Sequence, residues 1–161
     1  MNSFVDAFAA LIGNEGGYSD NPIDPGGETM HGITETVARA WGYQGDMRML
    51  PLSTAQAIAK AKYWDAYQCD QFDPRIGFNV FDAAYNGGHP AQWLQAAAHV
   101  TQDGVIGANT IAAVRALDPM TVIARFTASR ISYYTSLTGE WATFGRGWMN
   151  RLANNLQISS T

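Results

Sequence analysis

The stretch from Asn14 to Thr34, NEGGYSDNPIDPGGETMHGIT, constrains the fold of this chain more than any other part of the sequence. It holds five glycines and two prolines in twenty-one residues, which predicts a succession of tight turns. The same stretch carries a histidine, two threonines and four carboxylic acids, which are Glu15, Asp20, Asp24 and Glu28. Dense turn chemistry around several carboxylates is typical of a glycosidase or a metal site, so this stretch is the candidate site.

The composition predicts one compact domain spanning residues 1–161, because 47% of the residues are apolar. The net charge of −4 excludes the Lys/Arg-rich face of a nucleic-acid-binding protein, so no nucleic-acid partner is expected. Residues 1–80 carry ten acids against five Lys/Arg, so the candidate site lies in the acidic half. The single cysteine, Cys69, excludes an internal disulfide and any cysteine-based metal cluster.

The start of the chain shows neither a signal peptide nor a membrane span. Its apolar run, Phe4 to Ile12, is short, and no Lys or Arg precedes Arg39. We therefore expect a protein that is synthesised in the cytoplasm without a signal peptide and makes no stable membrane insertion. We also expect it to be a monomer.

Helical periodicity dominates the rest of the chain and predicts a mainly α fold. A first helix is predicted from Met1 to Asn14, capped by Asn2 or Ser3 and stopped by Gly16 and Gly17. A small irregular β-hairpin is predicted near residues 18–33, with Thr29 to Ile33 as its second arm. A helix is predicted from Thr34, its N-cap, to Trp41, with Gly42 ending it, and a buried central helix is predicted from Ile76 to Asn86. The other predicted helices are Ser53 to Tyr67 with a capping box at its start, Pro90 to His99, and 109–117, 119–138 and 143–154.

The apolar stripe of the first helix leads towards Glu15. Phe4, Phe8 and Leu11 recur at helical spacing, and one further step of four residues reaches Glu15. A carboxyl half-buried against such a stripe loses hydration, which raises its pKa and keeps it protonated for proton donation. The alternative is a helix-end glutamate that turns outward.

Asp24 is the candidate partner of Glu15. Hydrolysis of a glycosidic bond needs a proton donor and an anionic group that orients water or stabilises the cationic transition state. Asp20 is the rival for the second role. Metal binding by Asp20, Asp24, Glu28 and His31 is the other alternative, yet the run lacks both the ligand spacing of a calcium loop and the paired histidines of a zinc protease. We therefore predict no metal and no cofactor.

The string from Glu15 to Thr34 closely resembles the signature of glycoside hydrolase family 108. That family covers phage endolysins and secretion-activator-like proteins that cleave the glycan strand of peptidoglycan as N-acetylmuramidases. Four later segments are similar to the region predicted in the family to bind peptidoglycan, namely FDAAYNGG from Phe81, WLQ from Trp93, DGVIGANT from Asp103 and GWMNR from Gly147. The resemblance implies a lysozyme-like single globule, with a catalytic signature segment at 1–73 and a helical segment at 74–161. Peptidoglycan is the implied partner.

The resemblance also implies roles for individual residues. Glu15 corresponds to the catalytic acid. Phage lysozymes of similar size carry an aspartate nine residues after that glutamate, and Asp24 stands at this distance. They then carry a threonine near the nucleophilic water, for which Thr29 is the nearest match. Thr34 is the rival, because the threonine spacing differs by one residue.

The run Ala84-Tyr-Asn-Gly-Gly88 is similar to one that lines the saccharide groove of goose-type lysozymes and lytic transglycosylases. Substrate contacts are therefore implied for Tyr85 and Asn86, and we assign Thr34 and His31 to the same group. The alternative places Tyr85 in the core and Asn86 over helix carbonyls.

The resulting function is a peptidoglycan-degrading endolysin that hydrolyses the β-1,4 bond between N-acetylmuramic acid and N-acetylglucosamine for host cell lysis. It would act on the cell wall after release. A lytic transglycosylase acting on the same bond, or a non-catalytic cell-wall-binding or secretion-accessory protein, is the alternative.

Two further segments have mainly structural interpretations. Asp103 to Thr110 matches a pattern of peptidoglycan-binding modules, but Asp-Gly is also a turn and Asn109 a plausible N-cap. Arg146 and Arg151 could hold anionic peptide stems, whereas a last helix that packs through Trp148 is the default expectation.

Overall fold

The computed structural model describes residues 3–13, 17–20 and 27–161. The described residues form two compact units, Met1–Ala66 and Tyr67–Thr161. The predicted mainly α fold is confirmed, with a small antiparallel sheet of strands β1 (Thr29–Met30) and β2 (Ile33–Thr34). The helices are α1 (Phe4–Ile12), α2 (Glu35–Trp41), α3 (Leu52–Ala59), α4 (Pro74–Tyr85), α5 (Pro90–Ala97), α6 (Ala108–Arg115), α7 (Pro119–Ser136) and α8 (Thr138–Ser159). The single domain over 1–161 stays a prediction.

Shorter helical segments complete the described chain. A π-helical turn, Lys60–Asp65, continues α3, and 3-10 turns lie at Met47–Met49 and Cys69–Gln71. None of the helices described is long and apolar enough to cross a membrane.

Helix α1 is capped at one of the two predicted residues but ends earlier than predicted. Ser3 is its N-cap, and the hydroxyl oxygen accepts a hydrogen bond from the backbone N–H of Asp6 at 3.4 Å. The helix ends at Ile12 because Gly13 adopts a φ of +53°, a left-handed value that suits glycine. The predicted end at Asn14 is therefore wrong, and the apolar stripe of α1 does not support an extrapolation to Glu15.

The predicted second arm of the hairpin is itself folded in two. Strands β1 and β2 pair directly, with Thr29 opposite Thr34 and Met30 opposite Ile33. The two-residue turn between them has φ values of +52° and +76°, as type I′ turns require. Residue 19 supplies the outer arm instead, since Ser19 and Thr29 exchange two backbone hydrogen bonds of 2.8 Å.

The two helices that follow differ in how well their ends were predicted. Thr34 caps α2 through a 3.4 Å bond from Val37 N–H, and Gly42 ends it at a φ of +103°, both as predicted. The capping box at Ser53 is wrong. Pro51 is the N-cap of α3, and its carbonyl accepts the first helical N–H groups, so Ser53 lies inside the first turn.

Helix α4 is the buried central helix of the second unit, as predicted. Its residues from Ile76 to Ala83 are all buried, and it contacts α5, α7 and α8. It begins at Pro74, earlier than predicted, because the Asp73 carboxylate caps it by accepting from Arg75 N–H at 3.0 Å.

The last helices also differ from the predicted limits. Gly107 rather than Asn109 is the N-cap of α6, since its carbonyl accepts from Ile111 N–H at 3.0 Å. Helix α8 is longer than the predicted 143–154, running from Thr138 to Ser159, because Leu152 and Ser159 extend its buried side to the end.

Candidate active site

The two predicted carboxylates of the site, Glu15 and Asp24, lie outside the residues that the structure describes. Their roles therefore stay predictions. The described part of the segment consists of residues 17–20 and 27–34, together with the elements that hold them. These residues show how the first unit shapes the surroundings of the site.

Thr29 and Thr34, which the sequence presented as rivals, are cross-strand partners in the hairpin. Residues directly opposite each other in an antiparallel pair project from the same face, with Cβ atoms about 5 Å apart. Both threonines are half-buried. The structure therefore brings two hydroxyl groups together instead of selecting one.

The hydroxyl groups of Thr29 and Thr34 have different hydrogen-bonding roles. The Oγ1 of Thr34 accepts the N–H of Val37 and so caps α2, which leaves its hydroxyl hydrogen available as a donor. Thr29 has its backbone N–H and carbonyl bound to Ser19, which fixes the strand but not the side chain. Thr29 is thus the threonine whose hydroxyl has no capping role.

His31 occupies the tip of the hairpin in a left-handed conformation, with a φ of +52°. Histidine, asparagine and aspartate tolerate this region better than other residues with a side chain. A turn-forming role is therefore sufficient to account for its position, and its assignment to substrate binding stays a prediction.

A second group of polar side chains gathers beside the hairpin. The guanidinium carbon of Arg48 lies 4.7 Å from the ring centroid of Tyr18, and its Nη2 donates to the Tyr18 hydroxyl at 3.4 Å. Partial burial raises the pKa of Tyr18, and the hydrogen bond that its hydroxyl makes to Glu28 raises it further. Tyr18 therefore stays a neutral phenol that can both accept and donate hydrogen bonds.

Sequence reasoning missed Tyr18 and Arg48. Tyr18 stood in the turn-rich stretch, so an aromatic residue among its acids was the available signal. Arg48 carried no signal, because thirty residues separate it from Tyr18 and only the folded chain joins them.

In the second unit, Tyr85 and Asn86 end helix α4. The Tyr85 ring is half-buried and makes an edge contact with Phe81 at a centroid distance of 5.7 Å. Asn86 is exposed, and its Nδ2 donates to the Asp82 carbonyl at 2.8 Å. Its Oδ1 has no hydrogen-bond partner within the described residues, so the amide caps the helix and still presents an acceptor to solvent.

The buried side chain of Asp82 holds the C-terminal end of α4 in place. Its buried carboxylate lies 2.8 Å from Nη1 of Arg130 and accepts a hydrogen bond from Nη1 of Arg151 at 3.1 Å. Its Oδ1 also lies 3.4 Å from Nδ2 of Asn86. The orientation of Asn86 is therefore coupled to an ion pair that no local sequence pattern revealed.

The residues described contain no group of three or more His, Cys, Asp or Glu side chains placed to share a metal ion. Of the four residues weighed as metal ligands, Asp20, Glu28 and His31 are described and do not form such a group.

The mainly α fold with its small antiparallel hairpin is that of a lysozyme-like glycoside hydrolase. The model of the family described as glycosyl hydrolase 108 matches residues 8–88, and that of a "Predicted Peptidoglycan domain" matches residues 89–153. The chain belongs to glycosyl hydrolase family 108, and it is a glycoside hydrolase that acts on peptidoglycan.

Among solved structures, the chain is similar to Brucella abortus SagA, with 32% sequence identity and a TM-score of 0.87. The match covers 97% of this chain and 92% of that one. No curated protein sequence matches the chain. The lysozyme-like fold implied by the sequence is therefore confirmed.

Proposed function

We propose that the protein is an N-acetylmuramidase that hydrolyses the β-1,4 bond between N-acetylmuramic acid and N-acetylglucosamine. The observation that carries this proposal is the pairing of a glycoside hydrolase match over residues 8–88 with a peptidoglycan match over residues 89–153. A non-catalytic wall-binding protein would not need the acid-rich signature that the first match covers.

In the proposed reaction, Glu15 protonates the leaving glycosidic oxygen and Asp24 orients the attacking water or steadies the cationic sugar. Thr29 holds that water through its hydroxyl group. The direct pairing of Thr29 with Thr34 supports this role, because the Cβ atoms of such partners lie about 5 Å apart and the second hydroxyl can share the water or the substrate.

Tyr85 and Asn86 are proposed to contact the glycan at the end of α4. The exposed amide of Asn86 supports this role, since it offers an acceptor for a sugar hydroxyl or a donor-acceptor pair for an acetamido group. The buried Asp82 carboxylate keeps that amide in place.

The biological role that we propose is lysis of a bacterial host by a phage-type endolysin. A peptidoglycan substrate supports it, because degradation of the cell wall lyses a bacterium. We propose that the enzyme is synthesised in the cytoplasm and acts on the cell wall after release. We propose that it works as a monomer.

Analysis of the products tests the proposal. Purified peptidoglycan is digested with the wild type and with Glu15→Gln, and the soluble fragments are examined by mass spectrometry. We expect reducing N-acetylmuramic acid ends from the wild type, and a loss of at least about a hundredfold in rate for the variant, because proton donation alone contributes about 10² to 10⁴.

Other products would contradict the proposal in distinct ways. Ends that carry 1,6-anhydro-muramic acid would establish a lytic transglycosylase, in which the 6-hydroxyl of the sugar replaces water. Reducing N-acetylglucosamine ends would place the cleavage at the other bond of the repeat. Absence of any fragment would favour a non-catalytic wall-binding protein.

A further inference from the structure

A continuous row of aromatic side chains crosses the second unit. Neighbouring rings in the row lie at the following centroid distances: His89 to Tyr133, 5.4 Å; Tyr133 to Tyr134, 5.7 Å; Tyr134 to Trp148, 4.8 Å; Trp148 to Phe144, 5.9 Å; and Trp148 to Trp141, 6.4 Å. We call these six residues the aromatic strip. It joins the segment after α4 to the first turns of α8.

Both ends of the aromatic strip are open to solvent, whereas its middle is anchored in the core. Trp141 is 38% exposed and Phe144 is 47% exposed, and His89 is exposed at the other end. Tyr134 is only 4% exposed and lies beneath Trp148 in a stacked contact. At the exposed α8 end, Trp141 and Phe144 lie beside the half-buried Trp148. Contiguous exposed apolar surface of this kind usually marks an interaction site, unlike single exposed residues.

A glycine sets the orientation of the outer tryptophan. Gly145 is buried under Trp141, and a Cβ atom at that position would lie 2.7 Å from Cδ2 of the indole ring. The absence of a side chain at Gly145 therefore lets the indole lie against α8 with its opposite face outward. Gly147, two residues on, has nothing within 4 Å of its Cβ position.

The chemistry of the strip matches a sugar chain better than it matches a lipid surface. A pyranose ring presents an apolar C–H face with hydroxyl groups around its rim. Tyr, Trp and His combine a flat apolar ring with a polar edge, so they can pack against that face and hydrogen-bond at the rim. Helices that bind membrane surfaces are rich in Lys and Arg, whereas α8 carries only Arg146 and Arg151 against Glu140.

The location of the strip supports the same ligand. All six residues lie within 89–153, the segment that matches the "Predicted Peptidoglycan domain". The strip also begins at His89, three residues after Asn86, which is the candidate glycan contact at the end of α4.

We propose that the aromatic strip binds the glycan strand of peptidoglycan by stacking of sugar rings, with Trp141 and Phe144 forming its outermost contact. The inference rests on the proposed function, since it takes peptidoglycan as the substrate. It adds a contact with the glycan strand to the one proposed for Tyr85 and Asn86 in the same unit.

Binding of the full chain to insoluble peptidoglycan tests the strip. The chain carries Glu15→Gln to prevent digestion, and its affinity is measured by co-sedimentation with purified sacculi. Trp141→Ala together with Phe144→Ala should weaken binding at least about tenfold, the factor that corresponds to about 1.4 kcal/mol. Trp41→Ala is the matched control, because Trp41 is 43% exposed and lies outside the strip.

Substitutions that keep the apolar character separate stacking from general hydrophobic contact. Trp141→Tyr retains a flat ring and should keep most of the affinity, whereas Trp141→Leu should lose as much as Trp141→Ala. Gly145→Ala should weaken binding by displacing the indole, while Gly147→Ala should not. Unfolding midpoints of all variants are measured alongside. If the double variant does not fold, the comparison of Trp141→Tyr with Trp141→Leu decides whether the strip binds glycan by stacking.

The outcomes distinguish the strip from the proposed reaction. Affinity within twofold of the starting protein for both Trp141→Ala and Phe144→Ala would overturn the strip, even if wild-type digests contain muramic acid ends. Equal losses for Trp141→Tyr and Trp141→Leu would overturn stacking. If the Trp141→Ala and Phe144→Ala variants lost affinity for anionic lipid vesicles but kept their affinity for sacculi, the surface would be a membrane-binding site. If the wild type bound sacculi through the strip but released no fragments, the proposed hydrolysis would be refuted and the strip would stand.

Discussion

Arg130 and Asp82 form an ion pair in the interior of the second unit, with Nη1 of Arg130 2.8 Å from Oδ2 of Asp82. The two side chains are 1% and 2% exposed, so neither charge is compensated by water. Nη2 of Arg130 also donates to the Tyr134 hydroxyl at 3.2 Å. This pair links α7 to α4, and through Asp82 it reaches Asn86 at the candidate glycan contact.

Substitution of Asp82 by Asn should destabilise the protein strongly. Removal of one partner leaves the Arg130 guanidinium buried and uncompensated, which costs about 3–5 kcal/mol. Asp65→Asn is the control, because its 2.6 Å pair with Lys60 is about half-exposed and contributes at most about 1 kcal/mol. Denaturant unfolding measures both, and comparable losses in the two variants would contradict this account of Asp82.

Substitutions of His31 should separate its turn conformation from the predicted role in substrate binding. Asn tolerates a φ of +52°, so His31→Asn should stay within about 1 kcal/mol of the wild type in unfolding free energy. His31→Val should lose about 1–2 kcal/mol more, because a β-branched side chain clashes in this conformation. If His31 binds substrate, the Asn variant also loses activity on peptidoglycan; unchanged turnover would limit His31 to the turn.

The paired threonines should respond differently to loss of the hydroxyl group. Thr34→Val removes the cap of α2 and should cost about 1 kcal/mol of stability. Thr29→Val keeps the shape and β-propensity of the strand, so its stability should change little while its turnover falls at least about tenfold. Fragment release and thermal unfolding are measured for both, and Thr29→Ser should restore activity. A fully active Thr29→Val would remove Thr29 from the reaction.

Asp103 should stabilise the fold in a pH-dependent way. Its carboxylate accepts the Val105 N–H at 2.9 Å and the Gln95 Nε2 at 2.6 Å, and these bonds hold its pKa below the ordinary value. Since the pKa is lower in the folded than in the unfolded state, the stabilisation is present above about pH 4 and is lost as the pH falls through the folded pKa.

Comparison with Asp103→Asn measures this effect. The difference in unfolding midpoint between the two proteins should be largest at neutral pH and should narrow below about pH 4. An NMR titration of the wild-type carboxyl provides an independent measure. A pKa at or above the ordinary carboxyl value would refute the role of the Val105 and Gln95 bonds.

The prediction of helix limits succeeded where one residue decides the backbone. Helix α2 begins after Thr34 and ends before Gly42, as predicted, because a side-chain cap and a left-handed glycine act within one turn. It failed at Ser53, where Pro51 took the capping position. It failed also at Gly13, because any of the three glycines after Ile12 could have ended α1.

The candidate site was likewise predictable only in part. The sequence named both threonines but could not relate them, since a hairpin of two-residue strands leaves almost no alternation to read. Glu15 and Asp24 remain predictions from the signature. Arg48 was not predictable, because its contact with Tyr18 joins distant parts of the first unit.

The sequence by itself determined the family, the peptidoglycan substrate, the mainly α class and the turn-rich segment that holds the candidate acids. These features depend on local residue types and on a signature that spans most of the chain. Only the tertiary structure decided that Thr29 faces Thr34, that Asp82 meets Arg130, and that six aromatic rings form one strip. The ion pair and the strip join elements far apart in the chain, and the two-residue strands of the hairpin leave too little alternation to predict which residues pair.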